Sequence, residues 1–408
     1  MTHFKNLTTL LLFLIIMASQ SCSDEMPEPI SSEKSVPTQS DYISIDEAIS
    51  MAINASSLLA SDTETRTFNL RAVDTTFPYV ALTTDGTRSN NDTTLYVVNY
   101  ANNQGYAIIS HRRIEKPILA VTAQGNITTT DSIINNGIKF FLETAESYAV
   151  NAPIASASPA FEPPIEAEQW EYKTETTNSE RAVEPRIKVQ WGQTGLYGKF
   201  CTNSITGCAN TACAQAMTYF QYPTSLNLTH KSNANLTLNW NALINHKSGW
   251  STSLTCCASS THETIALLMR ELGQRAKSSY NKSSTSTYTN DARTAMEGIG
   301  FNVGQINNYY KSFIMNNLGD NCIIYVRGTN DEDQGHGWIA DGYKATITTV
   351  TTLRKKKYHL MWEEVSVVRS EIVYNHYNWG WNGSSDGYFL DDTFNGFSKD
   401  VQYFTIQR

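Results

Sequence analysis

The stretch Thr206-Gly-Cys-Ala-Asn-Thr-Ala-Cys-Ala-Gln-Ala-Met-Thr-Tyr-Phe-Gln-Tyr-Pro223 constrains this chain more than any other. It reads as a glycine-hinged turn opening into a helix. Ala209, Ala212, Cys213, Ala216, Met217 and Phe220 recur at helical spacing and give one small, apolar face for burial. Pro223 stops the helix. A thiol in the first helical turn lies beside the positive end of the macrodipole and beside unpaired N–H groups, both of which favour thiolate. Cys208 is therefore a candidate nucleophile. The competing reading of any cysteine is a small buried hydrophobe, and that reading suits Cys213, on the apolar face. For Cys208 the rest of the chain has to decide.

With 31 Lys+Arg against 39 Asp+Glu, the 408-residue chain has a formal charge of -8 and no basic footprint for nucleic acid. Residues 1–22 carry Lys5, the apolar run Leu10-Leu-Leu-Phe-Leu-Ile-Ile-Met17 and a small, polar end at Ser21-Cys22, the pattern of an export signal. The run is too short to span a bilayer. Cys22 after Ala18-Ser-Gln-Ser21 resembles a bacterial lipoprotein processing site, with Cys22 the lipidated N-terminus; ordinary signal cleavage is the alternative. The acidic Ser23-Asp-Glu25 resembles a surface-export signal. These features imply an outer-membrane or cell-surface lipoprotein, touching the membrane only through its lipid, whose mature form could be released outside the cell. Seven cysteines in an exported chain suggest disulfides among Cys201, Cys213, Cys256, Cys257 and Cys322, with at least one of these left free.

Residues 23–40, rich in Pro, Ser and Glu, read as a tether. Residues 41–151 read as a compact α+β unit: a helix at 44–59, strands at Tyr79-Val-Ala-Leu82, Thr94-Leu-Tyr-Val-Val-Asn-Tyr100, Tyr106-Ala-Ile-Ile109 and 117–122, then a helix at 131–148. Asn102-Asn-Gln-Gly105 supplies hairpin chemistry. Residues 152–185, with five prolines and many Glu, read as an exposed linker. In residues 186–408 helices come first, including 263–273 and 289–299, both ending at glycine. Strands follow at 322–326, 337–340, 358–362, 371–377 and 387–390, the α+β order.

A nucleophilic thiol needs a base, a group that orients the base, and donors for the oxyanion. His336 stands between Gly335 and Gly337, at the start of a strand, where the glycines leave room for a ligand; a turn histidine is the bland reading. Asn378 ends a later strand, in Asn378-Trp-Gly-Trp381, and His376 beside it is the alternative base. His336 follows Cys208 at about the 130–150 residues usual in papain-type peptidases. Asn378 comes later by an insertion's worth, for which residues 344–370, with Arg354-Lys-Lys-Lys357, are the obvious surface hairpin. Upstream, the side-chain amide of Gln193 beside the Cys208 N–H would make a two-donor oxyanion hole.

Trp191-Gly-Gln193, the Cys208 stretch, Gly335-His-Gly-Trp338 through Gly342, and Asn378-Trp-Gly-Trp-Asn-Gly383 with Asp386-Gly-Tyr388 come in one order, over residues 186–408. In that order they resemble the streptopain family of bacterial cysteine peptidases. Leu95-Tyr-Val-Val-Asn99, Gly105-Tyr-Ala-Ile-Ile-Ser110 and Pro117-Ile-Leu119 resemble that family's inhibitory propeptide. The resemblance implies a papain-like catalytic domain and a secreted or surface-anchored endopeptidase made as a zymogen. It makes Cys208 the nucleophile, His336 the base and Gln193 the oxyanion donor, with Asn378, or Trp379 shielding it, orienting His336. Trp379, Trp381, Gly335 and Gly337 are candidates for the substrate cleft. Proteins or peptides would be substrates and the propeptide an intramolecular inhibitor, with no cofactor or metal implied. Activation would cut between Glu168 and Glu184, using Trp170, Tyr172 or Ala182 as the apolar recognition residue. Ala209 and Asn210 depart from the family's valine and alanine. Asn210 keeps open the alternative of an inactive surface-binding or inhibitor module; a second alternative is a Cys-His amidase acting on cell-wall peptides or other small amides.

Overall fold

A capping box starts the first helix, α1 (Ile45–Ala55): Ser44 Oγ accepts from the Glu47 N–H at 3.2 Å and Glu47 accepts from the Ser44 N–H at 3.0 Å. The coordinates belong to a computed structural model that describes residues 41–60, 69–79, 93–128, 135–155, 170–229, 234–245, 259–329, 335–394 and 400–408. Strands β1 (Val73–Tyr79), β2 (Leu95–Tyr100), β3 (Tyr106–Ser110) and β4 (Ile118–Thr122) form an antiparallel meander. Of the strand expected at 79–82, Tyr79 is the last residue of β1, and 80–82 lie outside the described residues. Between β2 and β3, Asn102, Asn103 and Gly105 all take positive φ. A Cβ on Gly105 would stand 2.1 Å from the Thr122 carbonyl, so only glycine fits.

Helix α2 (Asn136–Asn151) starts at Asn135, whose Oδ1 accepts from the Gly137 and Ile138 N–H groups. The two helices explain why β2 and β3 are apolar in unbroken runs. Tyr96, Val98, Ala107 and Ile109 pack with Ala48 and Ala52 of α1, while Leu95, Val97, Tyr106 and Ile108 share a core with Phe141 and Leu142 of α2. A strand covered on both faces has no polar face to show.

Residues 170–183, expected as exposed linker, are instead strand β5 (Trp170–Val183). Helix α3 (Cys208–Phe220) is buried on every side from Ala209 to Thr218, more than the single apolar face expected, because its residues are small enough for neighbours to approach all round. A short pair, β6 (Ser225–Asn227) and β7 (Asn235–Thr237), precedes helices α4 (Trp240–Ile244) and α5 (Ser259–Arg275). Gly273 does not end α5. It sits inside it, where a Cβ would meet Tyr280 Oη at 2.0 Å, so the glycine serves close packing. The pair β8 (Ser279–Tyr280) and β9 (Thr285–Ser286) leads to α6 (Thr289–Ile299), which Gly300 does cap, at φ 109.

Strands β10 (Asn302–Val303) and β11 (Asn307–Asn308) and helix α7 (Phe313–Asn317) precede β12 (Cys322–Thr329), β13 (Gly335–Lys356), β14 (Glu363–Asn378), β15 (Gly387–Leu390) and β16 (Gln402–Gln407). The fold is α+β, and one antiparallel sheet runs in the order β1-β2-β3-β4-β15-β14-β13-β12-β16-β10, with β5 on β13 and β11 on β16. The join is β4 on β15, where Gly387 faces Thr122 and a Cβ on Gly387 would stand 2.3 Å from the Val121 carbonyl. The 344–370 insertion is a hairpin of β13 and β14, as expected, but 358–362 form its tip rather than a strand.

Cys201, Cys208, Cys213 and Cys322 are free thiols, so no disulfide joins the described cysteines. Cys22, Cys256 and Cys257 lie outside the described residues. Among the described residues no helix is long and apolar enough to cross a membrane.

Candidate active site

Gly207, at φ 89, turns the chain into α3, and Cys208 is the helix's first residue, half-buried at its N-terminus. The turn is held from below. Thr206 Oγ1 and Thr211 Oγ1 share a hydrogen bond of 2.8 Å, and the buried Asn210 donates to the Thr206 carbonyl at 2.7 Å and to Ser278 Oγ at 3.0 Å. Asn210, one of the two residues that depart from the streptopain pattern, is thus a brace for the turn.

Burial alone would push the Cys208 thiol up. The charge and hydrogen bond of His336, together with the Gly337 and Ala209 N–H groups, outweigh burial and hold the thiol below its ordinary range. Cys213 shows the contrast. Buried in the core with no such partners and close to Cys208, its thiol is pushed up to about 12.

His336 enters at the second position of β13, buried, with its ring near Trp338 and Trp379. Its Nε2 lies 3.0 Å from the Trp379 carbonyl oxygen. A carbonyl only accepts, so Nε2 carries the proton there and Nδ1 is left as the basic nitrogen. The group that orients His336 is therefore the Trp379 main chain. Of the two residues expected in that role, Trp379 makes the contact, through its carbonyl, and Asn378 is engaged elsewhere: its Oδ1 accepts from Gln215 Nε2 at 2.9 Å and from the Gly380 N–H at 3.1 Å, and its Nδ2 donates to the Val189 carbonyl. His376, the alternative base, has its Nδ1 at 2.7 Å from Asp341 Oδ1.

Gln193 is buried, and its Nε2 has no hydrogen-bond partner among the described residues. Its carbonyl accepts from both the N–H and the hydroxyl of Thr206, which fixes it beside the Cys208 turn. An unpaired buried amide donor costs free energy unless something arrives to accept from it. Of the cleft candidates, Gly335 is exposed and Trp381 half-buried. Gly337 gives its N–H to the thiol. Trp379 is fully buried and cannot line an open cleft here.

What buries it is the first domain. A Cβ on Gly137, in the first turn of α2, would stand 2.3 Å from the Trp379 ring and 2.7 Å from His336 Cδ2. Phe140, one turn later, presses on Gly328 and lies 5.9 Å from Trp338. Ile138, Phe140 and Phe141 share one core with Trp338, Trp379, Phe389 and Phe394. Three participants were not singled out from the sequence: Gln215, the Trp379 carbonyl and Gly137. Gln215 accepts from the Trp191 N–H at 3.1 Å while donating to Asn378, tying the Gln193 loop to the Asn378 turn. Its signal was available: a long amide side chain about two turns beyond Cys208, between Ala214 and Ala216 on the buried helix.

Residues 191–389 match the Peptidase C10 family and residues 40–149 match the Spi protease inhibitor family. Streptopains from Streptococcus pyogenes serotype M28 (strain MGAS6180) and from serotype M1 are each 27% identical over 235 residues, covering 51% of this chain and 50% of theirs. The chain thus spans about half the length of the curated relatives it matches. A prointerpain A fragment from Prevotella intermedia shares the fold, with a TM-score of 0.51 at 19% identity, over 78% of this chain and 96% of the fragment. Residues 191–389 are a papain-like peptidase C10 domain of the streptopain family, preceded in the same chain by a Spi-type propeptide inhibitor domain.

Proposed function

We propose that the chain is a cysteine endopeptidase made as a latent zymogen. The observation that carries this reading is the thiol of Cys208, held low by His336 at a helix N-terminus, with the first turn of α2 seated on His336 and Trp379. In the reaction, Cys208 as thiolate attacks a peptide carbonyl. The oxyanion takes hydrogen bonds from the Gln193 side chain and the Cys208 N–H, His336 protonates the leaving amine, and water then hydrolyses the thioester with His336 as base. The unpartnered Gln193 Nε2 supports its role. Asn210 braces the turn instead of filling the cleft, which disfavours the inactive-module reading.

Export, lipidation at Cys22 and placement on the outer membrane or cell surface belong to this proposal and rest on the leader sequence. The inhibitor domain at the site supports self-inhibition, and proteins or peptides are the proposed substrates. The activation cut was expected between Glu168 and Glu184. Pairing of β5 with β13 from Trp170 to Val183 disfavours that range, including the bonds near Trp170, Tyr172 and Ala182, because a peptidase needs extended backbone that is not already in a ladder. The proposed cut therefore lies on the N-terminal side of β5, in the linker that begins at residue 152. Following intact mass over time in purified wild type and Cys208→Ala, with mature enzyme added to the variant, tests this. Full activity of the uncut chain, or a mature form starting beyond Gln193, would overturn it.

A further inference from the structure

Beyond Gly342, β13 leaves the body of the sheet and runs between β5 and β14 alone. Residues 363–370 of β14 are exposed without a break, so neither face of β14 is covered there. At its end Tyr358, Leu360 and Met361 are 99%, 97% and 85% exposed. Arg354-Lys-Lys-Lys357 stands immediately before them, and no acid occurs from Arg354 to Trp362, in a chain of net charge -8. Two indoles form a rim behind the tip: Arg354 and Lys356 lie over Trp170 at 4.4 and 5.5 Å, and Lys173 and Lys355 over Trp362 at 4.7 and 5.1 Å. The nearby acids are already bound, Glu171 by Lys355, Glu175 by Lys173 and Glu363 by Arg354. Lys356 and Lys357 make no ion pair among the described residues, and Glu364 lies behind the tip on β14.

We infer that this tip docks on an anionic lipid bilayer, with Tyr358, Leu360 and Met361 entering the interface and Lys356 and Lys357 meeting lipid phosphates. Apolar side chains at an extreme point, a cationic collar and tryptophans behind it suit a planar, negatively charged surface whose interior is apolar. A protein partner fits less well. A stable protein interface takes about 800 Å² from each side, and three side chains on a turn do not supply it. This inference is independent of the peptidase reading, since the tip lies at the far end of the 22-residue strand that begins beside His336.

The test uses the chain from Ser23 onward with Cys208→Ala, which has neither leader, acyl chain nor self-cleavage. It is sedimented with vesicles of phosphatidylcholine alone or with phosphatidylglycerol added. Binding is expected only with phosphatidylglycerol, weakening as salt rises. Tyr358→Ser/Leu360→Ser/Met361→Ser, and separately Lys356→Gln/Lys357→Gln, should each weaken it by about tenfold or more while near-UV circular dichroism stays unchanged. Absence of binding, binding unaltered by the triple variant, or vesicle-free self-association that the triple variant abolishes would overturn the inference, the last by making the tip a contact between copies.

Discussion

The two ends of β13 share a backbone and little else. Residues 335–342 pair with β12 up to Ala340 and with β14 from Ile339 onward, with α2 and α3 packed against them, and all but Gly335 are buried. Residues 344–356 lie between β5 and β14, with partly exposed side chains along most of their length and an open tip. At the first end every side chain is held by several elements at once, so the His336 ring has a fixed place against Trp379 and Cys208. At the second end the backbone ladder is joined by surface ion pairs such as Arg354 with Glu363 and Lys355 with Glu171, away from the site. Catalysis and surface docking can be built on one strand because the core ends where β12 ends.

The largest expected effect falls on the buried end. His336→Ala should lower peptidase activity by several orders of magnitude, as for a residue that acts as one unit with its nucleophile. His376→Ala, bonded to Asp341, should keep most of it; initial rates on a peptide substrate decide, and the reverse order would exchange the two histidines' roles. Gln193→Ala should lower kcat by roughly 10²–10³ with little change in KM, the usual cost of one oxyanion donor. A change confined to KM would place Gln193 in substrate binding.

A smaller effect concerns Asp386, whose Oδ1 accepts from the Trp379 N–H at 2.9 Å and so steadies the carbonyl that orients His336. Burial pushes its carboxyl up to about 7, against the hydrogen bond from Trp379 and the nearby His376, with Asp341 pushing the same way as burial. The folded chain therefore binds this proton more tightly than the unfolded chain, whose carboxyl titrates near about 4. The stabilisation is complete below that value and is lost as pH rises toward about 7, by about 1.4 kcal/mol per pH unit at most. Urea midpoints across that range should fall for wild type and fall less for Asp386→Asn. Equal slopes would remove Asp386 from the account. The smallest effect belongs to the ribbon: Tyr358→Ser/Leu360→Ser/Met361→Ser should leave kcat/KM on a short soluble peptide within about twofold, as surface changes usually do. A large loss would mean that the two ends of β13 are coupled.

Local features were readable in advance where one element decided them. The spacing of Ala209, Ala212 and Ala216 marks α3, Asn102 to Gly105 marks a hairpin, and Gly300 ends α6. What escaped depended on pairing between distant segments. Residues 170–183 carry the Glu and small polar residues of a linker, yet their threonines suit a strand once β13 offers an edge. Residues 358–362 look β-prone, but Tyr358 takes φ 72 and the chain turns there. Asn378 was placed beside His336 by analogy of spacing. Its side chain was instead claimed by Gln215, a bond between α3 and the end of β14 that no local pattern announces. Gly137 was invisible for the same reason, since its meaning lies in the Trp379 and His336 rings it allows α2 to approach.

The central claim is that Cys208, paired with His336, cleaves peptide bonds once α2 has been lifted from the site. It is tested most directly by processing wild type and Cys208→Ala in parallel with a separate, inhibitable peptidase. That peptidase is then blocked, and release of peptides from a denatured protein is measured. Wild type should hydrolyse the substrate after processing and not before, and Cys208→Ala should be inactive in both states. Equal hydrolysis by processed Cys208→Ala, or undiminished hydrolysis by unprocessed wild type, would contradict the account.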